Sequence, residues 1–180
     1  MTKYLAFLRG INVSGHNMIK MDALKKMLEN MGFQNVETYI QSGNVFFESE
    51  EDNAVGLGFK IKQEISKVFG YDVPVIMVSK SDLELCFKNN PYLKEKVCDT
   101  KKLYVAFISK ELTAAALNDL KISNFKPDEA TIDIARIYIK YAISAGKTNL
   151  DQKYIEKKLN VVATIRNWNT VTNLLEMYNS

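Results

Sequence analysis

Val36-Glu37-Thr38-Tyr39-Ile40-Gln41 and Asn44-Val45-Phe46-Phe47-Glu48 are two β-rich runs separated only by Ser42-Gly43. A link that short between strand-like segments fits a tight antiparallel hairpin. Upstream, Met21, Leu24, Leu28 and Met31 recur at three- and four-residue spacing, the face of an amphipathic helix closed by Gly32, with Asp22 as its N-cap or first-turn acid. Before that helix, the apolar run Tyr4–Leu8 ends at Arg9-Gly10. Downstream, Leu57, Ile61, Ile65, Val68 and Phe69 mark a second helix that ends at Gly70, its first turn weakened by Gly56 and Gly58. The β-branched run Val73–Val78 follows. The order is βαββαβ.

The same order returns later in the chain. Leu103–Ile108 reads as a strand, Glu111–Leu120 as a helix, and Ala130–Ile134 and Arg136–Tyr141 as two strands. Thr148–Leu159 reads as a helix with Leu150, Tyr154, Ile155 and Leu159 inward and an Asn149/Gln152 capping arrangement, and Val161–Ala163 as a brief strand. Trp168, Val171, Leu175 and Tyr178 define a last amphipathic helix. Between the two passes, Ser79–Lys102 reads as a linker with a short helix at Asp82–Lys88 and a break at Asn89-Asn90-Pro91. The expected fold is α+β: two ferredoxin-like βαββαβ halves, 1–78 and 103–180, joined by 79–102, with an extra C-terminal helix. The two halves share a pattern but little residue identity.

A chain of 180 residues, 47% hydrophobic and 25% charged, can bury enough apolar surface to fold without metal or disulfide. Its net charge of +3 and pI near 8.7 fall short of a dedicated nucleic-acid domain and permit an anionic partner. The excess is uneven: residues 1–90 carry 10 basic and 11 acidic groups, residues 91–180 carry 14 and 10. Two cysteines, Cys86 in an apolar stretch and Cys98, do not make a secreted disulfide scaffold. The first apolar run is too short for a signal peptide, and no stretch approaches the roughly 18 apolar residues of a membrane span. The expected compartment is the reducing cytoplasm. With His16 as the single histidine and no Cys-x-x-Cys, a structural zinc site is set aside. No Gly-x-Ser-x-Gly elbow supports a hydrolase triad. No metal and no cofactor are expected.

Three polar turns hold the remaining chemistry. Arg9-Gly10-Ile11-Asn12-Val13-Ser14-Gly15-His16-Asn17 leaves a strand, carries two glycines and leads toward a helix, a setting in which backbone amides cradle anions. Gly10 and Gly15 match the glycine spacing of a P-loop, but His16 and Asn17 stand where that motif needs lysine and a hydroxyl, so it is no nucleotide P-loop. The competing reading is a long strand-to-helix connection that the glycines merely permit. His16 could titrate near neutrality, although a histidine in a polar loop is more often simply exposed. In the hairpin, Gln41, Ser42 and Asn44 offer donors and acceptors, first to their own turn and second to a ligand. In Ala163-Thr164-Ile165-Arg166-Asn167-Trp168-Asn169-Thr170-Val171, Asn167 or Asn169 could cap the following helix. Arg166 there either grips an anion bidentately or forms an internal ion pair while Trp168 packs in the core.

Phe7-Leu8-Arg9-Gly10-Ile11-Asn12-Val13, Lys20-Met21 with Leu24, Thr38-Tyr39-Ile40-Gln41-Ser42-Gly43-Asn44-Val45 and Ala163-Thr164-Ile165-Arg166-Asn167-Trp168-Asn169-Thr170 together resemble the bacterial domain-of-unknown-function family DUF1697. Ser14 stands where that family commonly has glycine, and Ile165 where it often has threonine. The resemblance implies a cytoplasmic α+β fold with duplicated ferredoxin-like halves. It carries over no activity, cofactor or catalytic residue, so whether the protein is an enzyme stays open.

The expectation ranked first is a small anionic ligand held in a cleft built by the Arg9, Ser42 and Arg166 segments, with Arg9, Asn12, His16, Gln41, Ser42, Asn44, Arg166 and Asn167 as binding residues. A nucleic-acid module comes second: Tyr138 and Lys140 share one strand face and Ile137, Ile139 and Tyr141 the other, yet Gly43-Asn44-Val45-Phe46-Phe47 lacks the basic and glycine pattern of an RNP1 motif. A protein–protein adaptor using sheet edges or the acidic run Glu48–Asp52, itself most simply a solvated loop, comes third.

Overall fold

β1 (Thr2–Leu8) lies between β3 (Asn44–Ser49) and β4 (Val75–Val78), antiparallel to both, and β2 (Gln34–Tyr39) extends the sheet on the far side of β3. The helices α1 (Met21–Asn30) and α2 (Ala54–Phe69) complete a βαββαβ pass. The computed structural model describes every residue except Ser14 and Ala114, and of Leu117 only the backbone. The chain divides into two compact units, Met1–Lys80 and Ser81–Ser180. The second unit repeats the design. Its sheet runs β6 (Glu129–Asp133), β7 (Arg136–Lys140), β5 (Leu103–Ile108), β8 (Ala163–Asn167), all antiparallel, with α4 (Ala116–Leu120) and α5 (Gln152–Leu159) as its crossover helices. Because 2-3-1-4 and 6-7-5-8 are the same order, the duplicated ferredoxin-like architecture is present. Two helices lie outside the repeat: α3 (Lys80–Asn89) and the C-terminal α6 (Trp168–Asn179).

Strand alternation and helix periodicity meet on one face of each sheet. In the first unit, Ala6, Leu8, Val45 and Phe47 pack against Leu24 and Leu28 of α1 and Leu57 and Ile61 of α2. In the second, Ala106, Ile108, Ile137 and Ile139 pack against Leu120, Ile155 and Leu159. Each such Val, Leu, Ile or Phe side chain removed from water contributes about 1.5–3 kcal/mol. Gly58 lets α2 come down on β4, since a Cβ there would stand 3.1 Å from Met77 Cγ. The opposite face of the second sheet is polar but closed. Arg136 and Tyr138 lie on it, 5% and 0% exposed, and α3 meets them. An Arg136 nitrogen, Nη2, lies 3.3 Å from Asp82 Oδ1, and Tyr138 Oη donates to Asp133 Oδ2 (3.2 Å) and to Leu85 O (3.5 Å). The Phe87 ring of α3 packs 4.7 Å from that of Trp168.

Several details differ from expectation. The helix expected over 111–120 is confined to its last turn, because Leu112 N donates to Ile134 O of the β6–β7 turn and the segment before it is tied to that hairpin instead; Ala114 lies outside the described residues. The helix expected from Thr148 begins at Gln152, capped by Asp151, whose Oδ1 accepts from Tyr154 N at 2.8 Å. Gln152 Oε1 accepts from Ile165 N (3.4 Å) and takes no part in a cap with Asn149. The last strand covers 163–167, beyond the expected Val161–Ala163, so residues read as a polar turn are ladder residues. On α6, Leu174 is fully buried and Leu175 only partly.

The β2–β3 turn depends on Gly43, which has φ +74° and accepts the Leu8 N–H at 2.8 Å. A Cβ at this position would stand 2.8 Å from Leu8 Cβ and 2.9 Å from Ile11 Cδ1. Gly43→Ala therefore combines left-handed strain with overpacking and is expected to cost about 2–4 kcal/mol, read from the urea midpoint. An unchanged midpoint would show that the turn relaxes without penalty.

Candidate functional site

Beyond Leu8 the chain enters a loop that closes on itself before α1. Asn12 organises it. Its Oδ1 accepts from Ile19 N (2.8 Å) while its Nδ2 donates to Ile19 O (2.9 Å) and to Gln41 O of the β2–β3 turn (3.0 Å). One short amide thus staples the strand-to-helix loop to the neighbouring hairpin. Asparagine suits the place because its φ of +54° is a conformation it tolerates better than most residues. Asn12 N also donates to Asn17 O (3.2 Å), and Asn17 Nδ2 to Gly10 O (3.2 Å). Ile11 and Ile19, 1% and 3% exposed, anchor the loop in the core below. Ser14 lies outside the described residues.

The hairpin has its own clasp. Asn44, fully buried, donates through Nδ2 to Tyr39 O and to Ser42 Oγ, both at 3.0 Å. Arg9 follows β1 half-buried, its backbone N–H donating to Pro74 O at 2.9 Å. The first unit thus gathers Arg9, Asn12, Gln41, Ser42 and Asn44 at one end of its sheet. Asn12 and Asn44 spend their amides on backbone and turn, which makes them builders of the rim. Gln41 is exposed and Ser42 partly exposed, so both face outward to some degree. His16 is exposed in a small turn where its N–H donates to Val13 O (2.9 Å).

Arg166 and Asn167 belong to the second unit. Arg166 stands opposite Val105 in the ladder, which in turn stands opposite Tyr138, so it shares the buried face with Tyr138. Its Nη1 donates to Thr164 Oγ1 (2.6 Å) and Ile165 O (3.1 Å), and at 7% exposure burial pulls its pKa down to about 10. Asn167 Oδ1 accepts from Thr170 N (2.8 Å), the N-cap that its sequence position suggested for α6. Cys86 is buried, and desolvation raises its thiol to about 12 even with the Arg136 guanidinium beside it, so it is no nucleophile at neutral pH. Among the described residues, no group of three or more His, Cys, Asp or Glu could hold a metal ion, and no helix is long and apolar enough to cross a membrane.

A groove of about 690 Å³ in the second unit was not singled out by sequence. The turns around Pro91 and Pro127, together with Tyr92 and Thr131, line it. The sequence signal was limited to the two prolines, which mark turns without saying that they face each other.

The family model described as protein of unknown function (DUF1697) matches residues 1–138. The chain belongs to the DUF1697 family. The match takes in the Arg9 loop and the Ser42 hairpin and stops before the Arg166 segment. Among solved structures, this DUF1697 chain is similar to conserved bacterial protein SP0830 from Streptococcus pneumoniae, with 25% sequence identity over 97% of each chain and a TM-score of 0.72. No curated protein matches it.

Removing the staple should be costly. Asn12→Ala deletes three hydrogen bonds and places alanine at positive φ, an expected loss of about 2–4 kcal/mol in chemical denaturation, with faster amide exchange at Ile19. The thiols give a second check. With a chromogenic disulfide reagent at neutral pH, Cys98 is expected to react in the native state and Cys86 only on unfolding. Since the Cys86 pKa is raised by folding, its contribution to stability is complete below the unfolded value near 9 and is lost as pH climbs toward 12. Equal native reactivity of both thiols would contradict the burial of Cys86.

Proposed function

We propose that this DUF1697 protein is a cytoplasmic binding protein for a small anionic ligand, held at the end of the first unit where Arg9, Gln41 and Ser42 come together. The observation that carries the reading is the Asn12 staple, which joins the loop after Arg9 to the turn holding Gln41 as one pre-ordered rim. A site ordered before binding spends little of its affinity on fixing loops. Arginine supplies a planar donor fork matched to carboxylate or phosphate, and the Gln41 amide and Ser42 hydroxyl of the β2–β3 turn supply neutral donors at the same sheet end. The two free cysteines support a reducing compartment. Arg166, deep in its sheet face, is better explained as a structural cation than as a ligand contact. The nucleic-acid alternative loses its best aromatic, because Tyr138 is fully buried and offers no ring for base stacking.

Thermal unfolding in the presence of inorganic phosphate, nucleotides, phosphosugars and dicarboxylates tests the reading. One class is expected to raise the midpoint by about 5–10 °C at a concentration near a hundredfold over its dissociation constant. Arg9→Gln is expected to abolish that shift while leaving the ligand-free midpoint within a few degrees. Stabilisation that persists in Arg9→Gln, or no stabilisation by any of the four classes, would refute the site.

A further inference from the structure

The groove of the second unit has walls of different chemistry. Its apolar surface comes from Pro91, Ile122, Pro127 and Ala130. Tyr92, itself only 6% exposed, sits among them, with its hydroxyl 3.4 Å from Thr131 Oγ1, a long contact that leaves the phenol able to bond elsewhere. Burial also raises the Tyr92 pKa, so the hydroxyl stays a donor. The volume of about 690 Å³ falls within the range of sites for small organic molecules.

Charge decides what kind of molecule fits. The lining includes Glu95, Asp128 and Glu129 against one cation, Lys126. Asp128 is occupied, since its Oδ1 accepts from Ala142 N at 2.8 Å. Glu95 and Glu129 come from different segments and converge on one ammonium, Lys140, which lies 2.9 Å from Glu95 Oε1 and 2.8 Å from Glu129 Oε1. Lys140 Nζ also stands 5.3 Å from the centre of the Tyr92 ring. Two carboxylates of the groove and its Tyr92 ring therefore already receive one ammonium, that of Lys140 beside the lining. A carboxylate has about four acceptor positions, so a single lysine does not saturate the pair. Counting Lys140, three carboxylates stand against two ammonium groups, which leaves the groove net negative.

We propose that this groove binds an organic cation: a primary amine or guanidinium carried on a compact apolar or aromatic body. The body lies against Tyr92, Ile122 and Pro127, and the cationic head joins Lys140 at Glu95 and Glu129. This site lies wholly in the second unit and shares no residue with the Arg9 rim, so either proposal can fail without the other.

Phenethylamine, its carboxylate counterpart phenylpropionate and the neutral phenethyl alcohol serve as probes, followed by backbone amide shifts of the full chain. The amine is expected to shift Ala130 and Thr131 saturably, with the alcohol weaker and the carboxylate weakest. Glu129→Gln, at a half-exposed side chain whose loss leaves the core intact, is expected to weaken the amine about tenfold. Arg9→Gln is expected to leave it unchanged. Equal binding of the carboxylate, unchanged amine affinity in Glu129→Gln, or shifts confined to residues outside the groove would each overturn the assignment.

Discussion

β1 and β5, one inner strand of each sheet, are hydrogen-bonded on both edges, and along most of their length their side chains are buried on both faces. From Leu5 to Leu8, and again from Val105 to Ile108, almost nothing reaches water. Polar chemistry cannot sit along such a strand, because each unpaired polar group there would carry its full desolvation cost. It is displaced to the strand ends. Arg9, immediately after β1, is the first side chain past that closed stretch, and the loops that receive it are tied by side-chain-to-backbone bonds from Asn12, Asn17 and Asn44. The location of the candidate rim follows from the closure of the central strands.

The same closure separates the two units. In the first, the hydrogen-bonding capacity of the loops is spent on a rim at the sheet end. In the second, polar residues lie on the sheet itself, where Arg136 and Tyr138 meet α3, and Asn89 Nδ2 donates to Asp133 Oδ2 at 3.0 Å. The guanidinium of Arg136 is nearly sealed, with Asp82 and Asp133 as its counter-charges. Removing either carboxylate would leave a buried cation under-compensated, a far larger penalty than loss of an exposed pair. Equivalent topology thus supports a rim in one unit and a polar sheet face in the other.

Much of the fold could be read from the chain because its signals were local and periodic. The hairpin around Ser42-Gly43, the Leu24/Leu28 and Ile61/Ile65 stripes and the run Leu103–Ile108 each point to one element without tertiary help. The failures have a common cause. Arg166 and Thr164 occupy strand positions that are buried by their neighbours, and no single-sequence pattern marks an arginine as a ladder residue. The segment before α4 loses its helix to a backbone bond with Ile134, a residue some twenty positions away. At the rim, sequence placed Arg9, Asn12, Gln41, Ser42 and Asn44 in the right turns but did not separate Asn12 and Asn44, which build it, from residues that could meet a ligand. That division depends on which carbonyls lie within reach of each amide. The groove at Tyr92 and Thr131 was out of reach for the same reason: its walls are far apart in the chain.

The Asn12 staple also bears on how fast a ligand would be captured. A loop that must order around its ligand adds a slow conformational step and keeps association well below the rate set by collision and orientation. Here the strand-to-helix loop and the hairpin are joined beforehand, so a ligand of the proposed class would meet a finished surface. Differences among related anions would then reside in how long each one stays, because all of them would arrive at the same ready-made rim.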